Sequence, residues 1–340
     1  MDLKTMRATA KKNMNGTCRV CPICNGRVCA GEVPGMGGTG TGESFTENVR
    51  ALSNIKLNMR TIHDALQPDT TLSLFGQLLK TPIMGAPITG SAINAGGAIS
   101  ELEMVTAIVE GSTLAGSLGW IGDPANASLY EDGLAAIRAG KQGIAIIKPR
   151  IDSQEILALF KLAEEAGAVA LGVDLDGAGL VTMALKGQPV GPKTKAQLRE
   201  LVEATSLPFI VKGIMTADDA IKCVKAGAKA IVVSNHGGRV LDHTPGAADV
   251  LPEIVKAVKG KITILVDGGV RSGADVLKLL ALGAEGVLIG RPLIVAAYGG
   301  GTEGVQTLLE KYTAELRGAM ILTGCKSLKD INPEVLFKHK

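Results

Sequence analysis

In the second half of this 340-residue chain, a carboxylate, an ammonium, an imidazole and two glycine-rich turns each close a short apolar run. Asp174 ends one run and Lys212 the next, and a third runs into Ser234-Asn235-His236-Gly237-Gly238-Arg239. Asp267-Gly268-Gly269, with Arg271 just beyond, and Gly290-Arg291 close two more. An imidazole that titrates near pH ~6.5 can take a proton at neutral pH, and a carboxylate behind it stabilises the resulting cation. Among these runs, Asp174 is placed by strand order to be that carboxylate. The small residues flanking His236 leave its ring open to approach. Glycine lets backbone N–H groups come close to a ligand, and with the Arg271 and Arg291 guanidiniums the last two turns make a phosphate cradle. The other histidines, His63, His243 and His339, read as surface or loop residues.

These groups can converge only if the runs are parallel strands that share one mouth. The pattern predicts strands over 82–87, 113–117, 143–148, 169–174, 209–212, 231–234, 262–267 and 286–289. Helices are expected over 101–110, 127–138, 153–165, 194–205, 216–226, 247–258, 273–282 and 304–322. Strand–helix alternation at this spacing argues a parallel sheet. Eight units in one unbroken rhythm argue closure into a (β/α)8 TIM barrel of the α/β class, with reactive groups at the C-terminal ends of the strands. Residues 44–59 read as a short helix followed by a connecting strand. We expect two regions: a Cys-rich and Gly-rich N-terminal extension, 1–45, and the barrel, 46–340.

Composition agrees. Apolar residues make up 46% and aromatics only 3%, so the core must be aliphatic, as buried parallel strands require. A net charge of +3 without a basic run does not indicate nucleic-acid binding. No apolar stretch reaches the ~18–20 residues of a membrane span. The basic start, with Lys4, Arg7, Lys11 and Lys12, is not followed by an apolar segment, so it does not read as a secretory signal. A cytoplasmic protein without a disulfide framework is expected. Cys223 and Cys325 fall in apolar helical patterns and read as buried thiols.

The segment 234–239, with Leu241-Asp242, resembles the signature of the FMN-dependent 2-hydroxy acid dehydrogenases and oxidases, the glycolate oxidase and lactate oxidase family. The resemblance runs through Leu207-Pro208-Phe209-Ile210-Val211-Lys212-Gly213, Asp267-Gly268-Gly269-Val270-Arg271, Ile289-Gly290-Arg291-Pro292 and Gly324-Cys325-Lys326-Ser327-Leu328. It implies FMN as cofactor. It also implies that His236 takes the substrate hydroxyl proton, with Asp174 as its partner, and that Arg239 clamps the substrate carboxylate. Lys212 would lie beside the flavin's N1/O2 edge, and Ala86, Pro87, Ile88 and Thr89 along the flavin. Asp267, Gly268, Gly269, Arg271, Gly290 and Arg291 would hold the ribityl phosphate, with Ser234 part of the same cofactor site. A homo-oligomer, with a tetramer as the family's common form, is a further expectation.

The chain departs from the family in three places. No arginine follows Asp174 within 175–181, where the family carries a second carboxylate-binding arginine. Ile146 and Lys148 stand where the family has glutamine and tyrosine, and Lys148 could supply a substrate-binding cation in compensation. The N-terminal tyrosine is not evident, and Cys18-x2-Cys21-x2-Cys24-x4-Cys29 occupies that region. Four thiolates at this spacing can wrap one metal centre. The opening C-x2-C-x2-C is ferredoxin-like and points to a [4Fe–4S] cluster. Zinc, redox thiols or an unmetallated loop are the alternatives. The leading reading is oxidation of an (S)-2-hydroxy acid, lactate-like, to the 2-oxo acid, with an electron-transfer partner expected if a cluster is present. The competing readings are a reduced-flavin isomerase of the type 2 isopentenyl diphosphate isomerase kind and a non-catalytic flavin and metal electron carrier.

Overall fold

A computed structural model describes residues 1–140 and 142–337; His339 lies outside them. Eight strands form the barrel: β1 (Ile83–Gly85), β2 (Trp120–Gly122), β3 (Ile144–Ile147), β4 (Ala170–Asp174), β5 (Phe209–Ile214), β6 (Ala230–Val233), β7 (Thr263–Val266) and β8 (Gly286–Ile289). All their ladders are parallel, in the order β1-β8-β7-β6-β5-β4-β3-β2. The seam between β1 and β2 is closed by an Ile88–Ile121 bridge and by the Gly85 N–H donating to Leu118 at 3.1 Å. Closure into a (β/α)8 barrel is therefore as the sequence predicts.

The helices start where side chains satisfy their free N–H groups. Ser100 with Glu103 and Thr194 with Gln197 form capping boxes, and Asp152, Thr216 and Ser272 cap three other helices. The predicted strand at 113–117 is corrected. The helix Glu101–Leu114 runs through its first residues, and the strand is Trp120–Gly122, three residues long. The capping box sets that helix going, and the chain turns only at Gly116, whose φ of 73° suits glycine. The expected closing helix is also longer. It spans Arg291–Thr323, with non-helical backbone at Gly301 separating two pieces. The helix expected within 44–59 is Glu43–Asn54; among the described residues the connection after it pairs at a Leu57–Leu336 bridge.

Two apolar layers follow from the two-residue period of a strand. Ala145, Ile147, Leu171, Val211 and Val233 point outward into the layer between strands and helices. Met84, Trp120, Ile144, Ile146, Ala170, Ile210, Val232, Leu265 and Leu288 fill the barrel interior, joined by Leu74 and Leu79 of a hairpin, Leu72–Leu74 with Gln77–Leu79. That interior register also sets the site. Two residues beyond Ile146, Ile210, Val232 and Leu265 come Lys148, Lys212, Ser234 and Asp267, and four beyond Ala170 comes Asp174, all buried at the mouth.

Residues before Glu43 lie against this barrel. The helix Leu3–Asn13 buries Met6 and Ala10, and the backbone of Met6 comes so close to Gly299 that a Cβ there would lie 2.1 Å from its carbonyl oxygen. Among the described residues no helix is long and apolar enough to cross a membrane.

Candidate active site

One cavity at the C-terminal ends of the strands is lined by Lys148, Asp174, Lys212, His236, Arg239 and Asp267. The β1 turn, Ala86, Pro87, Ile88 and Thr89, also lines it, with Gly268, Gly269, Arg271, Gly290 and Arg291. The predicted catalytic, substrate and cofactor residues thus meet at one place, apart from Ser234, which sits beneath as a buried prop, whereas Cys18, Cys21, Cys24 and Cys29 line a different cavity. The Ser234 hydroxyl accepts from Lys212 Nζ at 3.2 Å and from the His236 N–H at 3.1 Å.

His236 adopts a left-handed backbone, φ 58°, between β6 and Gly237, which is also left-handed. Its Nδ1 lies 3.0 Å from Asp176 Oδ1 and 3.4 Å from Asp174 Oδ2. The sequence reading named Asp174 alone; Asp176 is the nearer of the pair. Asp176 lies in the 3-10 turn Leu175–Gly179. A D-x-D pair at a strand end is visible in the sequence, but no helical or strand period says where its second member points.

Asp174 faces mainly the cations. Lys148 Nζ is 2.5 Å from its Oδ2 and Lys212 Nζ 3.2 Å from its Oδ1, and Lys212 also lies 3.7 Å from Asp267. Burial alone would raise the Asp174 pKa, but His236, Lys148 and Lys212 hold it well below the usual carboxylate range. Burial and the Asp174 charge push Asp176 well above that range. Burial, with Lys148, Lys212 and Arg239 nearby, pushes His236 well below the ordinary imidazole value, against the pull of Asp174. Burial would strip Lys212 of its proton, but Asp174, Asp267 and Asp176 hold it there. At neutral pH the result is a neutral imidazole beside an ammonium-bound carboxylate.

The three arginines are held by carbonyls of the N-terminal segment. Arg239 donates to Gly35 O and, at 2.9 Å, to Asn94 Oδ1. Arg271 donates to Cys24 O at 3.0 Å, and Arg291 to Met36 O and Gly37 O, both at 2.7 Å. Burial lowers Arg239 to about 10, and burial with the other two guanidiniums lowers Arg291 to about 9; both stay charged at neutral pH. Phe45 packs between the last two, its ring centroid 3.7 Å from Arg291 Cζ and 5.8 Å from Arg271 Cζ. Sequence reasoning missed Phe45 and also Asn48. The Asn48 amide donates to Asn235 Oδ1 at 2.7 Å and accepts from the Ala247 N–H at 3.0 Å. Gly268 and Gly269 are glycines partly on its account, since a Cβ at either would meet Asn48 at 2.6 and 2.3 Å.

FMN, expected from the sequence, fits these residues. Asp267 Oδ1 is buried with no partner among the described residues, so a polar group of a ligand can satisfy it. A Cβ at Gly290 would meet nothing within 4 Å, so that turn opens onto the cavity. Guanidiniums at the ends of β7 and β8 suit a phosphate, and the buried Lys212 ammonium suits an anionic ring edge.

The FMN-dependent dehydrogenase family model matches residues 35–184 and 180–338. The 2-hydroxyacid oxidase 1 of Mus musculus is 34% identical over 87% of this chain and 89% of its own length. An L-lactate oxidase of Nostoc sp. is 34% identical over 88% of this chain and 91% of its own. Among solved structures, a mandelate oxidase with benzoyl-formic acid superposes with a TM-score of 0.79 at 30% identity, covering 98% of this chain and 97% of that one. A mandelate oxidase variant carrying a monooxide FMN adduct superposes at 0.75 and 34% identity, covering 91% and 98%.

Proposed function

The chain belongs to the FMN-dependent dehydrogenase family, an oxidoreductase family, and from that premise we propose that it oxidises an (S)-2-hydroxy acid to the 2-oxo acid. The observation that carries the reading is the fixed ring of His236, its Nδ1 turned to a carboxylate pair, on the same short loop and lining the same cavity as Arg239. FMN, when bound, accepts the two electrons and the hydrogen that leave the substrate carbon.

The chain's own residues do the rest. Nδ1 faces Asp176 and Asp174, so Nε2 is the nitrogen left to take the hydroxyl proton. The imidazolium so formed is stabilised by the Asp174 carboxylate, with Asp176 orienting the ring. Arg239 offers a planar fork to the substrate carboxylate, held in aim by Gly35 and Asn94. Of 175–181, where the family carries its second arginine, Leu180 lines the cavity here, so carboxylate binding rests more heavily on Arg239. Lys148 is committed to Asp174 and contributes its charge through that pair. Lys212 supplies the cation beside the flavin ring, and Arg271, Arg291 and the Gly268, Gly269 and Gly290 backbone hold the phosphate.

The same reading includes a metal centre at Cys18, Cys21, Cys24 and Cys29 and a homo-oligomer in the cytoplasm. Exposed Met59, Ile62, Leu66 and Leu78, gathered in one stretch of chain, support self-association. The test is an anaerobic titration of the purified flavoprotein with a panel of 2-hydroxy acids. Bleaching of the flavin band by a member of the panel, lost in His236→Ala with FMN retained, is the expected result. If no 2-hydroxy acid bleaches it, the substrate reading fails.

A further inference from the structure

Cys18, Cys21, Cys24 and Cys29 all line a second cavity, of about 340 Å³, between the N-terminal segment and the barrel. Each is half-buried and none is in a disulfide. The same cavity is lined by Arg7, Arg19, Arg271, Arg291 and Lys311, and by no carboxylate. Arg271 Nη2 lies 3.4 Å from Cys24 Sγ, and Arg7 donates to the carbonyls of Val20 and Cys21 at 3.1 and 2.7 Å. Arg19 is paired with Glu32 and Lys311 with Glu315, but Arg7, Arg271 and Arg291 have no carboxylate partner among the described residues, and three such cations beside four thiols favour an occupant that turns the thiols into thiolates and carries a net negative charge.

Two metal centres could use four thiolates. Zinc at ~2.3 Å from each sulfur needs its thiolates within about 4 Å of one another. Among the described residues, the group with ligand atoms within 4.8 Å of one another is Asp174, Asp176 and His236; no three of these cysteines form one. The wider spacing and the size of the cavity suit a core of several atoms. So does the chain order, a C-x2-C-x2-C run.

We propose that these four cysteines hold a [4Fe–4S] cluster, set against the two guanidiniums that clamp the flavin phosphate. Arg271, Arg291 and Met36 line both this cavity and the catalytic one, so a single layer of side chains separates the two. A cluster with four thiolates carries a net charge of about −2, and about −3 when reduced, so the surrounding cations favour the reduced form. Its role rests on the substrate reading above. Oxidation of a 2-hydroxy acid to a 2-oxo acid releases two electrons and two protons. The cluster takes one electron at a time, so the two leave in succession to a one-electron carrier protein, and both protons go to water.

The test is metal analysis of full-length protein made with added iron, purified without oxygen and reconstituted with ferrous iron and sulfide. About four iron and four sulfide per chain, with an electron paramagnetic resonance signal after dithionite, is the expected result. Stoichiometric zinc, or an FMN-loaded protein that takes up no iron, overturns the proposal. Cys18→Ser and Cys21→Ser should lose iron, while Cys223→Ser, a buried thiol elsewhere, should keep it; equal iron in all three overturns the assignment of ligands. Should the first two fail to fold, the wild-type iron, sulfide and resonance signal decide. A 2-hydroxy acid added to iron-loaded protein separates the two readings. Flavin bleaching without a cluster signal, even with a one-electron carrier present to be reduced, overturns the electron exit and leaves the substrate assignment standing. A reducible cluster beside a flavin that no 2-hydroxy acid bleaches does the reverse.

Discussion

His236 is largely enclosed, with three cations nearby, and that sets the pH range in which it can act. A base must be unprotonated, and burial together with Lys148, Lys212 and Arg239 lowers its pKa. A lowered pKa keeps the neutral ring present to more acid pH, so substrate reduction of the flavin should stay level as pH falls through ~6.5, the ordinary imidazole value. Anaerobic stopped-flow rates across pH 5–8 check this, and an acid limb centred at or above pH 7 would contradict it. The two carboxylates behind the ring should separate by role. Asp176→Asn replaces the nearer carboxyl at Nδ1 by a neutral amide and leaves the cations paired, so kcat for flavin reduction should fall about 10–100-fold with little change in melting temperature. Asp174→Asn leaves Lys148 and Lys212 without their shared carboxylate in a buried site, which costs about 3–5 kcal/mol and should show as a large fall in melting temperature. Equal effects of both on both readouts would sink the division. Asp174 is legible in the sequence because a strand end fixes its direction. Asp176 is not, because an irregular turn leaves direction to tertiary packing.

The helix Glu43–Asn54 joins the N-terminal segment to the catalytic loop, and Asp242 is the joint. Its carboxylate accepts from the Glu43 and His243 N–H groups, both at 3.0 Å, and from the Thr41 hydroxyl at 2.7 Å, so a residue ~200 positions away does the capping that Gly42 cannot. Burial would raise its pKa, but the Thr41, His243 and Ser44 hydrogen bonds bring it to about 2. A depressed carboxylate pKa contributes stability that is present above the unfolded value, ~3.9, and is lost as pH falls toward the folded one. Asp242→Ala should therefore cost about 1–3 kcal/mol at pH 5–8, and the gap in melting temperature should close between pH 4 and 2. A gap that persists at pH 2 would mean that packing, not the charge, holds the joint. Elements of this kind were only half legible. Strands with aliphatic period and polar ends, β3 through β8, could be read directly. The three-residue β2 could not, because Trp120-Ile121-Gly122 is too short to show a period and the preceding Thr113-Leu114-Ala115 fits strand or helix until the Ser100 cap extends the helix through it.

At the scale of the molecule, Phe45 is where the cysteine-bearing segment, the catalytic loop and the phosphate turns meet. Cβ atoms placed on Gly26, Gly38 and Gly238 would each lie within 3.0 Å of Phe45 atoms, so three backbones from two distant parts of the chain close on one residue. No sequence pattern marks this, since the Gly238 contact joins residues 193 positions apart and glycine records only that something stands close. The ring lies against Arg291 and Arg271 in a buried setting, where a cation–π contact is worth about 2 kcal/mol, against ~0.5–1 in water. Leucine keeps most of the apolar volume but has no π face. Phe45→Leu should then free the Arg291 guanidinium to swing from the phosphate position and weaken FMN binding about 10–30-fold, the share of that contact that serves orientation at 1.4 kcal/mol per decade. Titrating apoprotein with FMN by fluorescence quenching measures it. Arg291 also keeps its carbonyl partners Met36, Gly37 and Gly237, so the variant should fold. If FMN affinity holds while melting temperature falls, Phe45 is packing alone, and the carbonyls by themselves aim the guanidinium.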